Sequence, residues 1–179
     1  LPLALGAPVF AQETAKPKEE FPIGTTPEVK VGDIYVKNTE GDWQVRCVKV
    51  ETGAEPCHIY QLIKDAEGNS VAEMTVFHLP GGGAAVAGAN VMTPLGTMLK
   101  NQMLFKVDDG KAQSYAYDWC ENVGCIARMG FTGLELEALK RGTAAMITIS
   151  SVVAPTQAIG LPVSLNGFSA AFTAVLVKE

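Results

Sequence analysis

The sequence predicts a mainly β chain, an antiparallel β-sandwich of the immunoglobulin-like kind with one or two short helices and two local disulfides. Three observations carry this. Short alternating or β-branched runs recur along the chain between Gly, Pro, Asn and Asp turns, the pattern of a sandwich or barrel rather than of βαβ units. The cysteines fall into two close pairs, Cys47 with Cys57 and Cys120 with Cys125, each spanning a turn. A helical period is clear in only one place, just after Phe131.

Length and composition bound the remaining possibilities. At 179 residues the chain suits one domain with a sizeable core. A net charge of −5 argues against a nucleic-acid binder, which needs a clustered basic face. No apolar run reaches the roughly 18 residues that a membrane-spanning helix requires. Leu1 to Ala11 reads as the back half of a secretory signal peptide, with Val9 and Ala11 as the small residues before a cleavage site at Gln12. Residues 12–32, rich in Pro, Glu, Lys and Thr, read as a flexible leader. The sandwich domain is then 33–179.

Four cysteines allow three pairings. The local one, Cys47–Cys57 and Cys120–Cys125, closes short loops between runs that already read as paired strands, and contributes about 2–3 kcal/mol per bridge. Structural zinc prefers two matching pairs at shorter gaps, and thioredoxin-type redox chemistry wants Cys-x-x-Cys at a helix start. Structural disulfides in an oxidising compartment are the expected state.

Taken in order, Val29 to Val36 suggests an edge strand. Asp42 to Cys47 alternates, with Trp43, Val45 and Cys47 on one face. Cys57 to Ile63 answers it across the Thr52–Pro56 turn, and Asp65–Asn69 is a hairpin loop leading to a strand over Val71 to Leu79. Its acidic residues lack the count and spacing of a calcium loop. Pro80–Gly83 reverses the chain; its glycines are followed by no Gly-Lys-Ser/Thr and no helix, so a phosphate loop is disfavoured. Ala84 to Leu99 is apolar and glycine-broken, with a turn at Thr93–Gly96. Met103 to Val107 is a strand ended by Asp108-Asp109-Gly110, and Lys111 to Trp119 returns.

The stretch from Tyr115 to Arg128 is an aromatic run, a tight turn at Asn122 and Gly124 between two cysteines, and a second apolar run. Thr132-Gly133-Leu134-Glu135 offers a capping box, and Leu134, Ala138 and Leu139 repeat at helical spacing up to a C-terminal glycine, Gly142. Ala144 to Val153 and Ile159 to Leu165 are strands, the second an edge or bulge at Pro162. Asn166-Gly167 turns the chain into Phe168 to Val177, where the pattern favours a short helix over alternation.

The residues offer little for catalysis. His58 and His78 lie inside strand patterns, no Gly-x-Ser-x-Gly or His-Glu-x-x-His is present, and oxidised cysteines leave no thiolate. The sequence therefore assigns no catalytic residue, no cofactor and no metal ligand. Tyr115, Tyr117 and Trp119, which alternate on one predicted strand, form a possible binding face; core packing of the same aromatics is the competing expectation.

Several blocks carry a family resemblance: Asp42-Trp43-Gln44-Val45-Arg46-Cys47, Cys57, Thr93-Pro94-Leu95-Gly96, Val107-Asp108-Asp109-Gly110, Cys120-x-x-x-Gly124-Cys125, and Val163-Ser164-Leu165-Asn166-Gly167-Phe168. In this order, from about Gly41 to Val175, they resemble the invasion-associated locus B family. The resemblance implies a β-sandwich protein of alphaproteobacteria that is periplasmic, secreted or associated with the outer membrane. In pathogenic members the family is linked to entry into host cells, and no catalytic or ligand residues come with it. The expectation is a non-enzymatic exported envelope protein that binds an envelope component or another protein. A surface adhesin or invasion factor touching host cells is the alternative, and a small-ligand carrier a more distant one. The partner would be an envelope or host-surface protein, with peripheral outer-membrane association and no nucleic acid.

Overall fold

Alternation in the sequence becomes two sheets packed face to face in the computed structural model, which describes residues 22–176. The proposed signal segment, residues 12–21 of the leader and residues 177–179 lie outside the described residues. Residues 22–33 carry no strand or helix. The first strand, β1 (Ile34–Glu40), begins where the expected one was ending and lies at a sheet edge, with an irregularity between Val36 and Asn38.

Strands β2 (Trp43–Val48), β3 (Cys57–Lys64), β4 (Ser70–His78) and β5 (Ala87–Thr93) continue from β1 as an antiparallel meander. Strand β5 is the part that the sequence leaves without a period. It lies between β4 and β9 (Gly124–Phe131) and is largely buried on both faces, so no polar face marks the alternation. With β8 (Tyr117–Glu121) beyond β9, the first sheet has seven strands in the order β1-β2-β3-β4-β5-β9-β8. The second sheet holds β6 (Met103–Val107), β7 (Gln113–Tyr115), β10 (Ala144–Ser151) and β11 (Ala154–Ser164) in the order β11-β10-β6-β7. Strand β11 starts earlier than its sequence pattern suggests, and Pro162 sits on it at the sheet edge, where a missing donor is tolerated.

The core lies between the sheets. Trp43, Val45, Ile59, Met74, Val76 and Val91 come from one sheet; Met103, Phe105, Ile147, Leu161 and Val163 come from the other. Helix α1 (Gly133–Arg141) has the expected capping box: Thr132 accepts from the Glu135 amide, and Glu135 accepts from the Thr132 amide. Its buried positions are Leu136 and Leu139, whereas Leu134 is exposed. Gly142 ends the helix at φ −68°, not in the left-handed region. Glycine is needed there for room, since a Cβ would meet Leu165 and Val107 at 2.8 Å. Phe168–Ala174 does form a helix, α2, which buries Phe168, Ala171 and Phe172.

The first and last blocks of the domain meet at α2. Phe168 packs edge-on against Trp43 with ring centroids 5.2 Å apart, and the Trp43 indole donates to the Ser164 carbonyl at 2.8 Å. Gln61 donates to that carbonyl at 3.0 Å and accepts from the Ser164 amide at 2.9 Å. The Asp42 amide donates to the Asn166 carbonyl at 3.1 Å, and the Ser164 hydroxyl donates to the Asp42 carboxylate at 2.6 Å. Gly167, at φ +84°, lies so close that a Cβ would come within 2.0 Å of the Glu40 carbonyl oxygen.

Gly53 also has positive φ, +88°, but nothing lies within 4 Å of its would-be Cβ. Gly53→Ala should therefore cost only the backbone term of about 1–2 kcal/mol. Gly167→Ala pays the same term and also has to push the β1–β2 turn away, so its melting temperature should fall several degrees further. Equal melting temperatures for the two variants would show that the contact between the terminal blocks does not constrain the fold.

Candidate functional site

The predicted cysteine pairs are directly opposed across antiparallel ladders. Cys47 faces Cys57 between β2 and β3, and Cys120 faces Cys125 between β8 and β9; both are disulfides. Beside the first, Glu55 accepts hydrogen bonds from the Tyr35 hydroxyl and from Lys49 (2.9 Å). The Tyr35 bond, then the Lys49 bond, hold the Glu55 carboxyl below its ordinary pKa. Of the two histidines, His58 is held below its ordinary pKa, first by burial and then by the Arg46 charge.

Tyr115, Tyr117 and Trp119 do not share one strand face. Tyr115 ends β7 in the four-stranded sheet, the chain crosses over at Ala116, and Tyr117 opens β8 in the seven-stranded sheet. A register shift between Tyr117 and Trp119 then turns Trp119 away from the alternating position. Tyr115 and Tyr117 pack against the core, and Trp119 is exposed on the edge strand. There the Arg128 guanidinium lies 5.5 Å from the Trp119 ring and pairs with Asp118 at 3.1 Å, while the indole donates to Glu121.

Of the three aromatics, Tyr115 leads to a concave site. It lines a cleft of about 270 Å³ where the β6–β7 hairpin passes α1 and the end of β9. That is close to the roughly 300 Å³ at which small-molecule pockets usually begin. Phe105, Val107, Phe131, Ala138 and Leu139 form apolar walls, and Lys106, Lys111, Gln113 and Glu135 supply the polar groups. Phe105 and Phe131, at the base, come from opposite sheets, with ring centroids 5.7 Å apart.

Glu135 is fixed by its bonds. Besides the Thr132 amide and hydroxyl, at 2.8 and 2.9 Å, it accepts from Gln113 on β7 and so ties the hairpin to the start of α1. Burial pushes its pKa up, but the bonds from Thr132 and Gln113 outweigh burial and leave it below the usual carboxylate range. Burial, followed by the Glu135 charge, raises the Tyr115 phenol. The site thus presents a neutral phenol, a bonded carboxylate and two lysines around an apolar hollow. Such a site can hold an apolar group that carries a polar or anionic end. Among the described residues no group of three or more His, Cys, Asp or Glu side chains is placed to hold a metal ion.

Sequence reasoning reached Tyr115 and Glu135 separately and missed the cleft. The signal present in the chain is the capping box beside the Asp108-Asp109-Gly110 turn, and it does not reveal that β7 passes over α1.

Comparison with known proteins gives concordant matches. The sequence profile described as invasion associated locus B (IalB) protein matches residues 43–176. An invasion protein B homolog of Brucella abortus (strain 2308) is 29% identical over 141 residues, covering 78% of this chain and 79% of its own. Its counterpart in Brucella abortus biovar 1 (strain 9-941) has the same identity and coverage. The crystal structure of invasion associated protein B from Bartonella henselae superposes with a TM-score of 0.66 at 25% identity, covering 78% of this chain and 94% of that one.

Because the folded-state pKa of Glu135 is lowered, its contribution to stability is complete above the ordinary carboxylate pKa and is lost as pH falls through the lowered value. Glu135→Ala should lower stability by about 0.3–1.5 kcal/mol at neutral pH. The gap from wild type should narrow in acid, as followed by thermal melts across pH. A gap that is independent of pH would mean that the carboxylate charge has no part in the cap.

Proposed function

The chain belongs to the invasion-associated locus B family, and from that premise we propose that it is an exported protein of the cell envelope that works by binding rather than catalysis. Its cleft takes an apolar group of another envelope component, and the lysine and glutamine rim engages that group's polar end. The observation that carries this reading is the Phe105–Phe131 hollow, which is apolar, open to solvent and rimmed by Lys106, Lys111 and Gln113. The disulfides fit an oxidising compartment outside the cytoplasm. No helix among the described residues is long and apolar enough to cross a membrane.

A surface adhesin is the second reading, favoured by Trp119, which stands exposed on an edge strand with Arg128 over its ring. Aromatic and arginine side chains are enriched in protein interfaces.

Photo-cross-linking in growing cells tests the cleft. A benzophenone side chain at Ala138, which lines the hollow, should give a defined adduct with envelope material. The same group at Leu134, exposed on the same helix and away from the lining, should not. Adducts of the same kind from both positions, or an adduct from the same group placed at Trp119 with none from Ala138, would overturn the cleft as the binding site.

A further inference from the structure

Two loops at one pole of the sandwich are tied side by side. The segment after β5, residues 94–101, includes a 3₁₀ turn at Leu99–Asn101 and runs against the β10–β11 turn. Thr97 forms a β-bridge with Ser151. The Met98 amide donates to the Ser150 carbonyl at 2.7 Å, and the Val152 amide to the Gly96 carbonyl at 2.8 Å. The Asn101 side-chain amide closes the pair on the Pro155 carbonyl at 2.7 Å.

This lacing holds aliphatic side chains out into solvent. Leu95 is 57% exposed, Leu99 44%, Val152 51% and Val153 88%. Val123, at the β8–β9 turn, lines a groove with Pro94 and Glu73 and borders this group without belonging to it. One exposed aliphatic is ordinary; several on neighbouring loop tips form a patch that marks an interaction surface.

The chemistry of the patch selects its partner. Neither 94–101 nor 150–155 contains a carboxylate, and Lys100 is their one charged residue. Lys100 takes part in none of the ion pairs among the described residues. The exposed Leu95, Leu99, Val152 and Val153 with Lys100, and no carboxylate in either segment, make the aliphatic-plus-cation composition that an anionic lipid interface receives. Several of their backbone donors and acceptors are already bonded to each other, which is what entry into a medium without water demands. We propose that this pole inserts into the interface of a lipid bilayer, with Leu95, Leu99, Val152 and Val153 at the acyl boundary and Lys100 on an anionic headgroup. This surface is separate from the cleft and independent of what the cleft binds.

Vesicle co-sedimentation of the full chain tests the assignment, with phosphatidylcholine alone or mixed with phosphatidylglycerol. Wild type should bind the anionic vesicles more tightly than the neutral ones. Val153→Asp combined with Leu95→Asp should weaken binding to anionic vesicles by roughly tenfold or more, from the lost burial of two aliphatic side chains. Lys100→Glu should remove the preference for anionic lipid, and Leu134→Asp, on a helix outside the patch, should bind as wild type. Circular dichroism and gel filtration check that each variant is folded and monomeric. No vesicle binding by wild type, equal binding by all four proteins, or self-association through the patch in place of vesicle binding would each overturn the proposal.

Discussion

The carbonyl of Ser164 ties the two ends of the domain together. It accepts from the Trp43 indole and the Gln61 amide, and Gln61 also accepts from the Ser164 amide, so a side chain completes hydrogen bonding that a neighbouring strand would otherwise supply. Gln61 is buried, and a buried amide left unbonded would cost about 1–3 kcal/mol. That penalty makes the arrangement specific. β2 and β3 of the large sheet can dock on β11 of the small one only in the register that satisfies all three groups. Phe168, four residues after Ser164, then closes over Trp43, and α2 covers that end of the core.

The local part of this design is visible in the sequence. Trp43, Val45 and Cys47 alternate because one face of β2 is buried; the disulfide partners follow from turn length; and the Thr132–Glu135 spacing specifies the α1 cap. What escapes sequence reading depends on distant neighbours. β5 shows no period because both of its faces are covered. Leu136 takes the inward position instead of Leu134 because helix phase is set by the core that α1 packs onto and not by propensity. The three aromatics after Gln113 look like one face because alternation continues in the sequence through Ala116, where the chain changes sheets. The cleft arises where the β6–β7 hairpin passes α1 and the end of β9, and so is legible in the sequence only as two unconnected residues, Tyr115 and Glu135.

The disulfides stand beside features with different tasks. Cys47–Cys57 staples the hairpin next to the Tyr35–Glu55–Lys49 cluster. Cys120–Cys125 fixes the β8–β9 turn, and Cys125 is paired with Thr93, the last residue of β5 before the apolar loop. The Thr97 hydroxyl donates to the Pro94 carbonyl at 2.7 Å and lies 3.2 Å from the Thr93 hydroxyl. The second bridge thus braces the root of the loop that presents Leu95 and Leu99. An oxidising compartment supports the shape of that pole as well as the stability of the sheet.

The location of the folded domain bears most directly on function, and protease treatment of intact cells, with fractionation alongside, measures it. An envelope binding protein inside the outer membrane predicts a full-length band that survives on unbroken cells and is cut once the outer membrane is permeabilised. Loss of that band from unbroken cells would contradict an internal envelope role and place the exposed Trp119 edge, as an adhesin, at the cell surface.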